Sequence, residues 1–160
     1  MSAWVNTHRL RVDLLLTGHR TITGDIHLQP IAAHHTGPET AVDLFNRDEP
    51  FFAVTLEGEQ PLFLSKSQVV YLKLPPQPPI EDPDRATAAR RLDLEVELAD
   101  GTLLEGLVSL EMPPDRLRIL DFLNYAPRFF AVWTPETVRV VNRDHVRAVS
   151  PLVDLSRASS

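Results

Sequence analysis

Two segments of this 160-residue chain read as copies of one another. Asp43-Leu44-Phe45-Asn46, followed by Phe51-Phe52-Ala53-Val54, recurs 78 positions later as Asp121-Phe122-Leu123-Asn124, followed by Phe129-Phe130-Ala131-Val132. Weaker matches upstream and downstream have offsets that drift between 82 and 77, as expected when loops change length and strands do not. The sequence therefore predicts two copies of one structural unit.

A proline-rich segment separates the copies. Five prolines between residues 75 and 84 fix an extended backbone and remove amide donors. This pattern predicts a first domain over residues 1–74, a semi-rigid linker over 75–89 and a second domain over 90–160 that ends in a short tail. A ligand for an aromatic groove is the alternative interpretation of such a segment.

Apolar and polar residues alternate at the start of each copy, which is the two-residue period of a half-buried strand. A second strand follows with a glycine at the same place in both copies, Gly24 and Gly106. This glycine predicts a sharp bend, where the absent side chain lets the strand coil across its neighbour. Third strands are expected at residues 41–45 and 118–123, fourth strands at 51–56 and 129–133, and last strands at 69–72 and 146–149. Residues 62–64 and 138–141 are expected to pair with the fourth strands as hairpins.

Such short strands, with no long helix, predict an all-β protein. A sheet this small avoids open edges most easily by coiling. We therefore expect two tandem five-stranded small barrels, arranged as a pseudo-dimer. The fourth and fifth strands of small barrels stay partly open, so each copy can pair one edge with its sister and still present one outer edge.

The order of these elements resembles the Sm-like small β-barrel, a relative of the SH3-like barrels. In that family an Asp-x-x-Asn strand end and an Arg-Gly turn together line an RNA-binding pore in a ring of subunits. Asp43 with Asn46, and Asp121 with Asn124, match the first element. Arg143 stands in the turn before the last strand, but neither copy has the Arg-Gly pair. Residues 118–124 with 141–146 also resemble an uncharacterised bacterial domain family of this fold, with an Asp-x-Leu-Asn motif.

The Asp-x-x-Asn corner has two interpretations. In the structural one, the Asp accepts backbone amides at a strand end and the Asn adopts the left-handed conformation that begins a turn. In the functional one, the corner is a base-binding edge. The missing Arg-Gly turn and a formal net charge of −6 favour the structural role.

Composition and motifs exclude several classes of chemistry. With no cysteine, the chain has neither disulfides nor thiolate sites, and no Gly-x-Ser-x-Gly elbow or phosphate-binding glycine loop occurs. His34-His35 has no further ligand at metal-binding spacing, so we predict no metal, no cofactor and no enzymatic activity. Arg85, Arg90 and Arg91 resemble the arginine arm of cyclic-dinucleotide-binding PilZ barrels, without that family's Arg-x-x-x-Arg spacing.

Adjacent phenylalanines point towards function. In a strand, the neighbouring rings of Phe51-Phe52 and Phe129-Phe130 face opposite sides, so one ring of each pair should fill its barrel and the other needs cover. We therefore expect a protein partner or homo-oligomer to contact Phe51, Phe52, Phe129, Phe130 and Trp133. The sequence favours a non-enzymatic interaction or assembly module. The alternatives are an Sm-like RNA-binding protein and a small-ligand or cyclic-dinucleotide sensor.

The N-terminal residues interrupt every apolar run with charge, so we expect neither a signal peptide nor a membrane span. Absence of cysteine is compatible with a reducing compartment. Arginine outnumbers lysine 14 to 2, which hints at a GC-rich bacterial genome. A bacterial cytoplasmic location is therefore expected, and at a net charge of −6 we do not expect nucleic acid as a partner.

Overall fold

The computed structural model describes residues 7–32, 37–75, 90–110, 119–125 and 127–152. Within these ranges it confirms an all-β protein, with ten strands and two short α-helices. In the first copy these elements are β1 (His8–Leu16), β2 (Arg20–Leu28), α1 (Ala41–Asn46), β3 (Phe51–Thr55), β4 (Pro61–Ser65) and β5 (Val69–Leu74). In the second copy they are β6 (Arg90–Leu98), β7 (Leu103–Leu110), α2 (Ile119–Tyr125), β8 (Phe129–Trp133), β9 (Val138–Asn142) and β10 (Val146–Pro151).

The ten strands form one antiparallel sheet in the order β10-β6-β7-β8-β9-β5-β1-β2-β3-β4. Within it the first copy has the order β5-β1-β2-β3-β4, and the second copy has the equivalent order β10-β6-β7-β8-β9. The copies meet where β5 pairs with β9. Among the described strands the sheet is open, with β4 at one edge and β10 at the other.

The prediction of third strands at residues 41–45 and 118–123 is wrong, because the described parts of both segments are helical. Thr40 caps α1: its Oγ1 accepts the Asp43 N–H over 3.2 Å, and Asp43 Oδ2 accepts the Thr40 N–H over 2.9 Å. This reciprocal capping box satisfies two amides that a short helix otherwise leaves unpaired. The buried residues of α1, Ala41, Leu44 and Phe45, also follow the helical spacing of three to four.

Close crossings occur at the two strand glycines. A Cβ on Gly24 would lie 2.5 Å from Val54 Cγ1, and one on Gly106 would lie 2.6 Å from the Trp133 carbonyl oxygen. Such distances leave no room for a side chain. The glycines therefore allow β2 to approach β3, and β7 to approach β8, at equivalent places in the two copies.

Each copy has a hydrophobic core, and each core takes residues from the other copy. The first is built around residues of β1, β2, α1 and β5 and also contains Phe129, Val138 and Val140. The second is built around β6, β7 and β8 and also contains Val70. Because alternate residues of β9 face opposite sides, Val140 enters the first core and Val141 the second.

Candidate interaction site

The inter-copy interface, formed by β5, β9 and the Asn46–Phe129 contact, shows how this repeat unit binds another unit. Strands β5 and β9 are antiparallel, with Leu72 opposite Val140 and Leu74 opposite Val138. All four side chains are buried. The first copy therefore contributes its last strand, β5, and the second copy contributes β9, the second strand of the β8–β9 hairpin.

Side-chain amides close this interface. Asn46 Nδ2 donates to the Phe129 carbonyl over 3.0 Å, and the Phe129 N–H donates to Asn46 Oδ1 over 2.9 Å. Asn142 is fully buried and donates through Nδ2 to the Val69 carbonyl over 3.0 Å. Both asparagines thus satisfy backbone groups of the opposite copy.

The two Phe-Phe pairs lie in different surroundings. Phe52 and Phe130 are buried, each in its own copy's core. Phe129 is 1% exposed and lies 5.1 Å, centroid to centroid, from Phe45 of the first copy. Its counterpart Phe51 is 59% exposed. Trp133 also packs against the first core, so it belongs to the inter-copy interface.

Phe51 belongs to a larger surface, which we call the β4 face: Phe51, Ala53, Pro61 and Phe63. Its counterparts in the second copy, Phe129, Ala131, Val138 and Val140, all contact the first core. The contrast at one pair is large, because Phe63 is 64% exposed and Val140 is 0% exposed. The surface that is covered on the second copy is therefore open on the first.

A groove of about 310 Å³ lies at the β4 face, with Phe51 and Phe63 among its lining residues. Two cations of its lining, Arg47 and Lys66, have partners within the copy. Arg47 Nη2 lies 3.0 Å from Glu39 Oε1, and the Lys66 ammonium donates to the Arg47 carbonyl over 3.0 Å. Burial lowers the pKa of Lys66 below its ordinary value, partly countered by Glu49.

The Asp-x-x-Asn corners are not gathered into one site. Asp43 lies at the start of α1, whereas Asn46 at its end contacts the second copy. Asn46 does not adopt the expected left-handed backbone, since among the described non-glycine residues only His19 and Glu59 have a positive φ. The expected turn is absent because the chain leaves α1 through Arg47 in an extended conformation.

In the second copy, Asp121 lies in the first turn of α2 and Asn124 is exposed near its end. Arg143 Nη1 donates to the Leu123 carbonyl over 3.2 Å. Lys66, its counterpart 77 positions earlier, donates to the carbonyl of Arg47, the residue that follows α1. These cations therefore stabilise helix ends, where carbonyl groups otherwise lack donors.

The sequence interpretation missed Phe63, Lys66 and Asn142. Lys66 and Arg143 are cations at equivalent positions, and that equivalence is a signal the sequence does contain. Phe63 aligns with Val140, so its apolar character is also repeated. Asn142 has Ser65 as its counterpart, so comparison of the copies alone does not identify it.

Among the described residues, no cluster of His, Asp or Glu could hold a metal ion. His34-His35 and Arg85 lie outside those residues, as does the linker beyond residue 75, and nothing is described of the Arg90 and Arg91 side chains. No helix in the described ranges is long and apolar enough to cross a membrane. Comparisons with family models, curated proteins and solved structures give no match.

Proposed function

We propose that this protein is a non-enzymatic assembly or adaptor module, built from two Sm/SH3-like small-barrel units joined as a pseudo-dimer. The repeated strand order supports this organisation, since both copies arrange five strands in the same way around their own core. The location we propose is a bacterial cytoplasm. The module's partner is a protein, not RNA, in keeping with the acidic net charge.

The observation that carries this proposal is the open β4 face. Phe51 and Phe63 are both more than half exposed, beside a strand whose outer edge has no partner among the described strands. Unpaired strand edges bind further strands through backbone hydrogen bonds. Covering half of one such aromatic side chain removes about 100 Å² from water, worth about 2.5 kcal/mol.

The residues that line the groove favour a protein ligand, and not a small anion. Arg47 pairs through Nη2 with Glu39, although its Nε has no hydrogen-bond partner, and the Lys66 ammonium contacts a backbone carbonyl. An incoming phosphate would therefore have to compete with a buried carboxylate. Aromatic side chains beside paired charges are instead typical of a protein interface, where polar groups surround apolar anchors.

The proposal is tested with the double variant Phe51→Glu/Phe63→Glu. Sedimentation velocity and affinity capture with the full chain should show complexes, of this protein or with a defined second protein, that the double variant loses. Leu103→Glu is the matched control, because Leu103 is a similarly exposed apolar residue on β7, away from the β4 face. A monomer that captures nothing, or a salt-sensitive complex with single-stranded RNA, would contradict the proposal.

A further inference from the structure

We infer that the partner of the β4 face is a second copy of this chain, bound head to tail so that β4 of one molecule pairs with β10 of the next. This inference rests on the proposed function and specifies its partner. The inter-copy interface is the template. It joins the last strand of one unit to the hairpin of another, and the described strands leave one example of each surface unpaired.

The uncovered surface on the second copy, the β10 face, consists of Leu123, Asn124, Val149 and Pro151. Its counterparts in the first copy are Phe45, Asn46, Leu72 and Leu74, which bind the second copy. Asn124 and Pro151 are exposed, and Leu123 and Val149 are partly buried. Each half of the template interface thus has an open equivalent on the same molecule.

The repeat fixes the expected register. Leu72 and Val140 are opposite each other in the template, and their counterparts at an offset of 77 are Val149 and Phe63. The template therefore places Val149 of one molecule opposite Phe63 of the next. By the same offset, Pro151 lies opposite Pro61.

Backbone directions agree with this register. The Lys66 N–H donates to the Pro50 carbonyl, and the Leu56 N–H donates to the Gln60 carbonyl. Since the backbone groups of successive residues in a strand point in opposite directions, the Phe63 N–H and carbonyl point away from β3. The Leu152 N–H donates to the Asp93 carbonyl, so alternation along β10 directs the Val149 amide away from β6. Phe63 and Val149 can thus exchange two hydrogen bonds between molecules.

The asparagine contact also has a free equivalent. Asn46 binds the N–H and carbonyl of Phe129 across the inter-copy interface. Asn124 and Phe51 are the counterparts of these residues, and both are exposed. In a head-to-tail assembly, Asn124 of one molecule binds the Phe51 backbone of the next, and the Phe51 ring is covered as the Phe129 ring is.

Two prolines make this contact weaker than its template. Pro61 and Pro151 occupy positions whose amides would face outward, and they replace Val138 and Leu74 of the template. Neither can donate a hydrogen bond. Proline is a known protection of strand edges, so the expected assembly is reversible and concentration-dependent.

Head-to-tail contacts are heterologous, because the two surfaces differ. They extend to further molecules until the assembly closes as a ring, or they continue as an open chain. A symmetric dimer would instead use the same face twice. This difference makes the inference testable by mixing variants.

The test uses Phe63→Pro, which blocks the β4 edge, and Val149→Pro, which blocks the β10 edge. Each removes an outward amide, which edge strands tolerate, and each also replaces the Phe63 or Val149 side chain with a proline ring. Native mass spectrometry and sedimentation of the parent at increasing concentration should show species of three or more copies. Each variant alone should associate roughly tenfold or more weakly. Mixed together they should form a one-to-one dimer, because each retains the face that the other lacks.

Thermal unfolding at low concentration confirms that the variants are folded, and Phe51→Glu with Asn124→Ala repeats the mixing test without new prolines. Pro61→Val/Pro151→Leu restores the template residues and should tighten association by roughly tenfold or more. A parent that stays monomeric, or a dimer that survives both edge prolines, would overturn the inference. If a monomeric parent captures another protein through Phe51 and Phe63, head-to-tail assembly fails and the adaptor function stands.

Discussion

Asn46 and Phe129 are 83 positions apart and are joined by two hydrogen bonds, one from the Asn46 amide to the Phe129 carbonyl and one from the Phe129 N–H to Asn46 Oδ1. Alternation along β8 directs both Phe129 backbone groups away from β9, its hairpin partner. The asparagine side chain therefore takes the place of a neighbouring strand. A single residue of the first copy thus provides hydrogen-bond partners for both backbone groups at the start of β8.

Asn46→Ala is expected to lower the free energy of unfolding by about 1–3 kcal/mol, because it leaves the Phe129 N–H and carbonyl without partners at a partly buried position. Urea denaturation at sub-micromolar concentration measures the effect without self-association. Asn124→Ala is the matched control, since Asn124 is exposed, and it should change stability by less than about 0.5 kcal/mol. Equal losses in both variants would contradict this role for Asn46.

Phe129→Ala should cost about 3–5 kcal/mol, because the ring is buried against Phe45 and its removal leaves a cavity between the copies. Phe51→Ala is the equivalent substitution in the first copy. It should cost less than about 1 kcal/mol at low concentration, since that ring is mostly exposed. Chemical denaturation of the two variants measures their free energies of unfolding. Similar losses in both variants would show that Phe51 and Phe129 are not differently buried.

Gly106→Ala is expected to destabilise the fold by about 1–3 kcal/mol, because the new methyl group would overlap the Trp133 carbonyl oxygen and a Val132 methyl group. Relief requires β7 and β8 to separate. Thermal and urea unfolding measure the loss. Glu105→Ala, at the exposed neighbouring position, should have little effect, and a Gly106→Ala protein as stable as the parent would show that the crossing is not tight.

Stability should fall as the pH drops below about 6.5, partly through His27. Partial burial and the nearby Arg9 lower the pKa of His27 below its ordinary value of 6.5. The unfolded chain therefore binds a proton more readily than the folded one, so the contribution is complete above the unfolded pKa and is lost as the pH falls towards the folded pKa. His27→Gln should show a smaller change in unfolding free energy between about pH 5 and pH 7. An unchanged pH dependence would exclude His27 as a source.

Much of the fold follows from local pattern. Apolar alternation predicts β1 and β6, because it depends on residues close in sequence. The shared glycines predict a special backbone position in each copy, but not the residues that approach it. Helix α1 does not follow in this way. Its apolar residues are compatible with a short strand. The capping box favours the helix, because the Thr40 and Asp43 side chains each accept the backbone N–H of the other residue.

The candidate site depends on contacts that local pattern cannot contain. Phe51-Phe52-Ala53-Val54 and Phe129-Phe130-Ala131-Val132 are the same four residues, yet one leading ring is exposed and the other is buried. The difference comes from which copy lies next to each strand. The described residues form two units with one strand-to-strand interface between them, so one example of each surface stays unpaired there.

The sharing of residues between the two cores also affects synthesis. The first core lacks Phe129, Val138 and Val140 until the second copy has been made. At about 5–20 residues per second, roughly 3 to 13 seconds pass between translation of Leu74 and of Val140. During this interval Phe45 and Leu72 lack the cover that these three residues of the second copy provide. We therefore expect the nascent first copy to expose an apolar strand edge that a chaperone, or the β4 face of a finished molecule made from the same message, can bind.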